Sequence, residues 1–231
     1  MNIKSNYIFE FPTAGIVEKT IGYPIAGIPA KKGWTAPNDS FPALGDPGAF
    51  DTVKKNQNCP ASVTGIDIPV LIKGEKSNGE LVVLTAQDPL RKKSDYPSTV
   101  GWNNEIVVSL PFGVHVDNVC PVINGLVDRL LGEGYDVYIT DCSKIYSAGQ
   151  KKTSDAQLIA DELAALSGQY KNMTCVALGN RAQETMAKVQ KLFPIRTIDM
   201  LHPSRSANGA WNKKYGKCSE QEKINITFDA I

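Results

Sequence analysis

Closely spaced metal ligands are missing from this chain. Its five cysteines, Cys59, Cys120, Cys142, Cys175 and Cys218, form no CxxC pair and are separated by long, irregular gaps. A structural zinc or an iron–sulfur cluster draws on clustered thiolates, so neither is expected. The two histidines, His115 and His202, have no neighbouring carboxylate motif, which argues against a catalytic zinc. Phosphate loops of either standard glycine spacing are missing, and so is a GxSxG elbow. No cofactor is therefore expected. No apolar run approaches the ~20 residues that span a bilayer. The N-terminus, MNIKSNYIFEFPTAG, has no long apolar core after a basic start, so no signal peptide and no membrane partner are expected. An odd cysteine count without a secretory signal fits a reduced, cytoplasmic setting. Charge of one sign is also scarce in excess. The formal net charge is +1, too small for a protein that coats nucleic acid by bulk electrostatics, but compatible with one that grips a few phosphates locally.

What the chain does have is a change of texture. Residues 1 to 75 are rich in proline and glycine (FPTAG, GYPIAGIPAKKGW, FPALGDPGAF) and poor in periodicity. They read as an irregular extension packed on the main domain, with a few short strands such as IPVLIKG at 68–74. Residues 76–231 form the main domain. LVVLTA (81–86), YDVYIT (135–140), MTCVALG (173–179) and IRTIDML (195–201) read as strands, and EIVVSL (105–110) as a further strand, edge or loop segment. Helices are expected over 116–134, over 154–168 with Ser154 as N-cap and Gly168 at the end, and over 180–193 before Pro194. Strands alternating with helices imply a three-layer α/β/α fold around a mostly parallel four-stranded sheet. The chain reads as a monomer.

Ligands of such sheets collect beyond the carboxyl ends of the strands. Those ends read AQDPLR, ITDCSK, LGNRAQ and LHPSRSANGAW. Asp88, held before Pro89, is either a strand-end turn residue or a general base or anion facing a cation. His202, also before a proline, is either structural or a neutral donor to a developing oxyanion. Phe112, in SLPFGVH, is either a core ring or an exposed ring able to stack on a flat base. Asp141 and Lys144 are either a solvated pair or readers of a substrate edge.

AQDPLR (86–91) and HPSRSANGA (202–210), in this order and each at a strand end, resemble the GQDPYH and HPSPLSA motifs of the uracil-DNA glycosylase superfamily. VVSLPFGV (107–114) is similar to the family's GLCFSV, and VYITDCSK (137–144) to its VYITNVVK. The resemblance covers about residues 80 to 212. It implies hydrolysis of the N-glycosidic bond of uracil or another altered base flipped out of DNA, without metal or redox cofactor. An alternative is an inactive relative that binds a nucleobase, nucleotide or DNA. By the resemblance, Asp88 would orient the attacking water and support the oxocarbenium-like sugar. Gln87 and Pro89 would lie beside the base, Phe112 would stack on it, and His202 would hydrogen-bond the leaving base. Ser204, Arg205 and Ser206 would contact phosphates, with Arg91 and Lys144 also on the DNA side. Four positions depart from the pattern. Ala86 replaces a glycine, Leu90 the tyrosine that blocks the thymine methyl, Arg91 a histidine, and Asp141 the asparagine that reads the uracil edge. An ionised aspartate only accepts hydrogen bonds, which suits an exocyclic amine better than uracil O4.

Overall fold

The computed structural model describes residues 6–21, 31–32, 63–87, 107–114, 120–147 and 154–231. Its core is a sheet of seven strands in the order β10-β9-β5-β7-β4-β1-β2. These are β1 (Ile8–Glu10), β2 (Lys31–Lys32), β4 (Val70–Lys73), β5 (Glu80–Ala86), β7 (Asp136–Asp141), β9 (Asn172–Leu178) and β10 (Arg196–Met200). The four strands read at 81–86, 135–140, 173–179 and 195–201, which form β5, β7, β9 and β10, pair in parallel. The sheet is nevertheless not four-stranded as expected. β4 joins β7 antiparallel, and β1 and β2 extend that edge. The extra strands come from the proline- and glycine-rich first 75 residues. β1 and β2 span only three and two residues, too few for a period-two pattern to register.

The period of two sorts the strand side chains between two apolar layers. Val82, Leu84, Ala86, Val137, Ile139, Val176 and Leu178 face one cluster. Leu81, Val83, Tyr138, Cys175 and Ala177 face the other. The first layer is closed by α2 (Pro121–Gly132) and α6 (Glu220–Phe228), the second by α3 (Ala156–Ser167) and α4 (Asn180–Val189). The architecture is thus α/β/α. A short α1 (Ala14–Ile21) precedes β2, and α5 (Asn208–Tyr215) precedes α6.

Local signals explain the helix ends. α2 starts with Pro121 in its first turn, where the missing N–H costs nothing. The chain leaves it through Gly134 at φ 90°. The N-cap of α3 is Asp155, not Ser154, because the Asp155 carboxylate accepts from the Leu158 N–H at 2.9 Å. α6 opens with a reciprocal Ser219–Glu222 capping box.

A second sheet, β6-β3-β8, holds Val107–Ser109, Val63–Asp67 and Ile145–Ser147. EIVVSL therefore contributes a strand outside the main sheet. β3 lies parallel to β6 and antiparallel to β8. Backbone bonds Ile68 N to Ser109 O at 2.8 Å and Asp67 N to Lys144 O at 3.1 Å close its end. This sheet ties the turn after β6 to the turn after β7.

The buried thiols yield a first prediction. Burial is the main cause that pushes Cys142 and Cys175 each up to about 12, so both stay protonated at pH 8. Alkylation at pH 8 followed by peptide mapping is expected to leave both unmodified until the protein is unfolded. The linkage has a definite sign. In the unfolded chain these thiols ionise near pH 9, in the native one near 12, so they hold protons more tightly when folded. Stability present below pH 9 is expected to drain away as pH rises from about 9 to 12. A urea midpoint that is flat over that range would contradict this.

Candidate active site

Four parallel strands present their carboxyl ends at one edge of the sheet. The chain runs from β5 outward to β7, then returns across β5 to β9 and on to β10. The winding reverses between β5 and β9, the topological switch point where open α/β sheets bind ligands. Gln87 follows β5 there and Gly179 follows β9.

The β5 and β7 ends are locked together past their last formal pair. Ala86 lies opposite Asp141. Cys142 N donates to Ala86 O at 2.9 Å and Ser143 N to Gln87 O at 3.1 Å. Asp141 is 1% exposed, and strand alternation puts it on the sheet face of Val137, Ile139 and Ala86. Phe112 belongs to the apolar cluster on that same face.

His202 follows β10, the outermost strand, about 10 Å from β5 by ordinary strand spacing. It leans over the end of β9, the strand between them. Gly179 has φ 87° and ψ 165°, and a Cβ placed there would come within 3.1 Å of the His202 Cβ. The missing side chain makes the room for the imidazole. Gly179 N also donates to Met200 O at 2.8 Å, and Gln183 Nε2 donates to the same carbonyl at 2.9 Å. Gly179→Ala is expected to cost about 1–3 kcal/mol from the forbidden backbone conformation and to displace His202. Urea unfolding measures the first effect and any turnover assay the second. Gly179 went unassigned in the sequence, although LGN at a strand end was its visible signal.

The loop after β10 is pinned from behind. Trp211, 1% exposed, donates from Nε1 to the His202 carbonyl at 3.0 Å. Ser204 N donates to His202 Nδ1 at 3.2 Å. Nδ1 therefore keeps its lone pair, and the proton of the neutral ring sits on Nε2 as a donor. The Ser204 and Ser206 hydroxyls bond each other at 2.8 Å, and Arg205 is exposed between them.

Phe112 completes the cluster. Its ring centroid lies 5.8 Å from that of His202, tilted by 35°. It is 7% exposed, so it is not the exposed loop ring considered above but a buried wall. Its backbone sits at φ 58°, the one non-glycine residue with positive φ among the described residues. An aromatic residue in the left-handed region is strained by about 1–2 kcal/mol. Such outliers persist where surroundings over-determine them, often at ligand sites.

Lys144 does not belong to this group. It is 3% exposed and forms an ion pair with Glu162 of α3, itself fully buried, at 2.9 Å. Its ammonium also donates to Thr140 Oγ1 and, at 2.8 Å, to the Asp141 carbonyl. Thr140 Oγ1 donates to Glu162 Oε2 at 2.8 Å. Neither a solvated Asp141–Lys144 pair nor a lysine on DNA fits that environment. Its role is to hold the turn that carries Asp141. Asp88, Pro89, Leu90, Arg91 and His115 lie outside the described residues.

The structure thus brings Gln87, Asp141, Phe112 and His202 to one edge of the sheet, on four separate segments. A hydrogen-bond donor beside an aromatic face, with a carboxylate on the same sheet face, can bind a flat heterocycle by stacking and by its polar edge. Compared with known proteins, the chain matches no family model and no curated sequence. Among the described residues, no helix is long and apolar enough to cross a membrane.

Proposed function

We propose that this chain is a DNA glycosylase of the uracil-DNA glycosylase type, acting on a base flipped out of the strand. The observation that carries the reading is the Phe112 ring set against the His202 imidazole at the strand switch point. The two rings come from the segments most similar to the family's base-stacking and HPS motifs. Phe112 offers the base a wall, and His202 offers its Nε2 proton to a base carbonyl.

The chemistry is hydrolytic. The bond from the sugar C1′ to the base nitrogen breaks, and its electron pair leaves with the base. Water adds to C1′ and releases a proton, giving an abasic site and free base. His202 contributes most where charge builds on the departing base. Asp88 would hold the water and offset the positive sugar. Asp141 would meet the far edge of the base. As an ionised acceptor it selects an exocyclic amine, and as a protonated acid it can donate to a carbonyl.

The test is base release from single-stranded oligonucleotides that carry deoxyuridine, hypoxanthine, xanthine, or deaminated or methylated bases, read as alkali-labile cleavage. Release that is lost in Asp88→Asn supports the reading. A chain that binds such oligonucleotides but releases no base supports a second one, a non-hydrolytic base-binding relative. The aspartate at position 141, where the family pattern has asparagine, favours that outcome.

A further inference from the structure

Lys223 of α6 is buried without a counter-charge. It is 5% exposed, and among the described residues no carboxylate pairs with it. Glu220 and Glu222 of the same turn are exposed. The Lys223 ammonium donates to Asn208 Oδ1 at 2.6 Å and lies 5.6 Å from the centre of the Trp211 ring. Asn208 opens α5, and Lys223 is the fourth residue of α6. The first turns of both helices disfavour a cation, so neither dipole explains it. Stability does not explain it either. A buried ammonium is costly to desolvate, and an apolar side chain of similar length avoids that cost.

What the lysine touches is the support of His202. Trp211 Nε1 donates to the His202 carbonyl at 3.0 Å. The Lys223 ammonium sits within cation–π range of that indole. Its bond to Asn208 ties it to the start of the same helix. A cation near the ring polarises the indole and strengthens its N–H as a donor. Lys223 also reaches out from a fixed base. Its neighbour Ile224 packs so closely on α2 that a Cβ at Gly125 would collide with Ile224 Cδ1. Arg129 of α2 donates to Asn225 Oδ1 at 2.6 Å and holds its guanidinium 3.9 Å from the centre of the Phe228 ring. Support therefore runs from α2 through α6 to Trp211 and the His202 backbone. All of α6 lies beyond residue 212, where the resemblance to the glycosylase family ends.

We propose that Lys223 is a positioning residue for His202. It fixes the Trp211 indole that holds the His202 carbonyl, and so aims the imidazole at the departing base. The effect on base release rests on the glycosylase reading, whereas the placement of the imidazole does not.

The experiment compares the native full chain with Lys223→Met, Asn208→Ala and the double variant. Indole ¹H–¹⁵N spectra read the Trp211 N–H, and Trp211→Phe assigns it among the three tryptophans. Urea unfolding reads stability. Single-turnover release from a single-stranded deoxyuridine 20-mer reads the chemistry. In Lys223→Met the Trp211 Nε1 proton is expected to move upfield as its bond to His202 weakens. The urea midpoint is expected to hold or rise, because a buried charge is replaced by an apolar chain. Release is expected to slow about 10- to 100-fold at saturating enzyme, with half-saturation unchanged, since a small misplacement of a reacting group costs up to about that factor. Asn208 is exposed, so Asn208→Ala leaves the core untouched and is expected to move the Trp211 signal the same way. The double variant is expected to be no slower than Lys223→Met, because both changes cut one linkage. Native-rate release by Lys223→Met, or a loss of rate that only follows a loss of stability, overturns the positioning role. So does a Trp211 signal that stays put in both single variants. If the native chain releases no base, the glycosylase reading falls and the spectra alone decide. Shifts at Trp211 and at the His202 nitrogens then uphold the role, and unmoved signals overturn it.

Discussion

On the glycosylase reading, His202→Leu is expected to slow base release by about 100- to 1,000-fold while leaving the fold intact. Leucine keeps an apolar side chain beside Phe112 but removes the Nε2 donor. Losing one such donor to a developing oxyanion typically costs that factor. The donor is preset by the bond from Ser204 N to Nδ1, which leaves the neutral ring's proton on Nε2. The bond it makes strengthens as charge reaches the base, so the loss belongs in kcat more than in KM. Single-turnover cleavage at saturating enzyme measures the step itself. A variant as fast as the native chain would remove His202 from the chemistry.

Glu162→Ala is expected to lower the free energy of unfolding by about 3–5 kcal/mol, enough to consume a large part of an ordinary domain's stability. The substitution leaves the Lys144 ammonium, 3% exposed, buried without a counter-charge, with only the Thr140 hydroxyl and the Asp141 carbonyl beside it. It also removes the acceptor for Thr140. Burial first, and the Glu162 carboxylate second, hold the hydroxyl of the fully buried Tyr138 well above its ordinary value. The double variant Lys144→Met/Glu162→Leu is expected to recover most of the loss, because two matched apolar side chains replace a matched ion pair. Urea denaturation at pH 7 reads all three proteins. A single-variant loss below about 1 kcal/mol would mean that water reaches Lys144. The Asp141 carbonyl also accepts from that ammonium, so on the base-binding reading the double variant, although stable, is expected to show altered base selectivity.

The parallel centre of the sheet was legible because β5, β7 and the second half of β9 are continuous apolar runs buried on both faces, while the outer strand β10, RTIDM, is largely half-exposed or exposed. Strand ends then pointed to the sheet edge beside which His202 and Phe112 meet. His202 and Phe112 were legible as polar or aromatic residues just past such runs, but their mutual contact was not. That contact depends on Gly179, whose role is to be absent as a side chain. The burial of Lys144 was hidden for a different reason. Its partner Glu162 is 18 residues away on another element, and nothing in TDCSK marks a lysine that turns inward. Of the antiparallel edge, β4 was legible in IPVLIKG, but β1 and β2 were hidden by length, since two- and three-residue strands carry no period. The N-cap of α3 moved by one residue because Ser154 and Asp155 are both good caps, and only geometry chooses between them. The small sheet was the largest omission. β3, from the segment read as an irregular extension, connects the Phe112 turn to the Asp141 turn.

The claim that a base stacks on Phe112 and takes a hydrogen bond from His202 is tested most directly by NMR of the imidazole nitrogens. The chain has two histidines, so ¹⁵N-histidine labelling gives two sets of signals, and His202→Leu assigns them. The probe is a short oligonucleotide carrying 2′-fluoro-2′-deoxyuridine, whose glycosidic bond resists hydrolysis. The account predicts that His202 starts with an unprotonated Nδ1 and a protonated Nε2. On binding, the Nε2 proton should move downfield as it meets the base carbonyl, and Phe112→Ala should weaken the complex. An oligonucleotide that binds while both His202 nitrogens stay unmoved would contradict it, and the base would have to be sought elsewhere on the sheet edge.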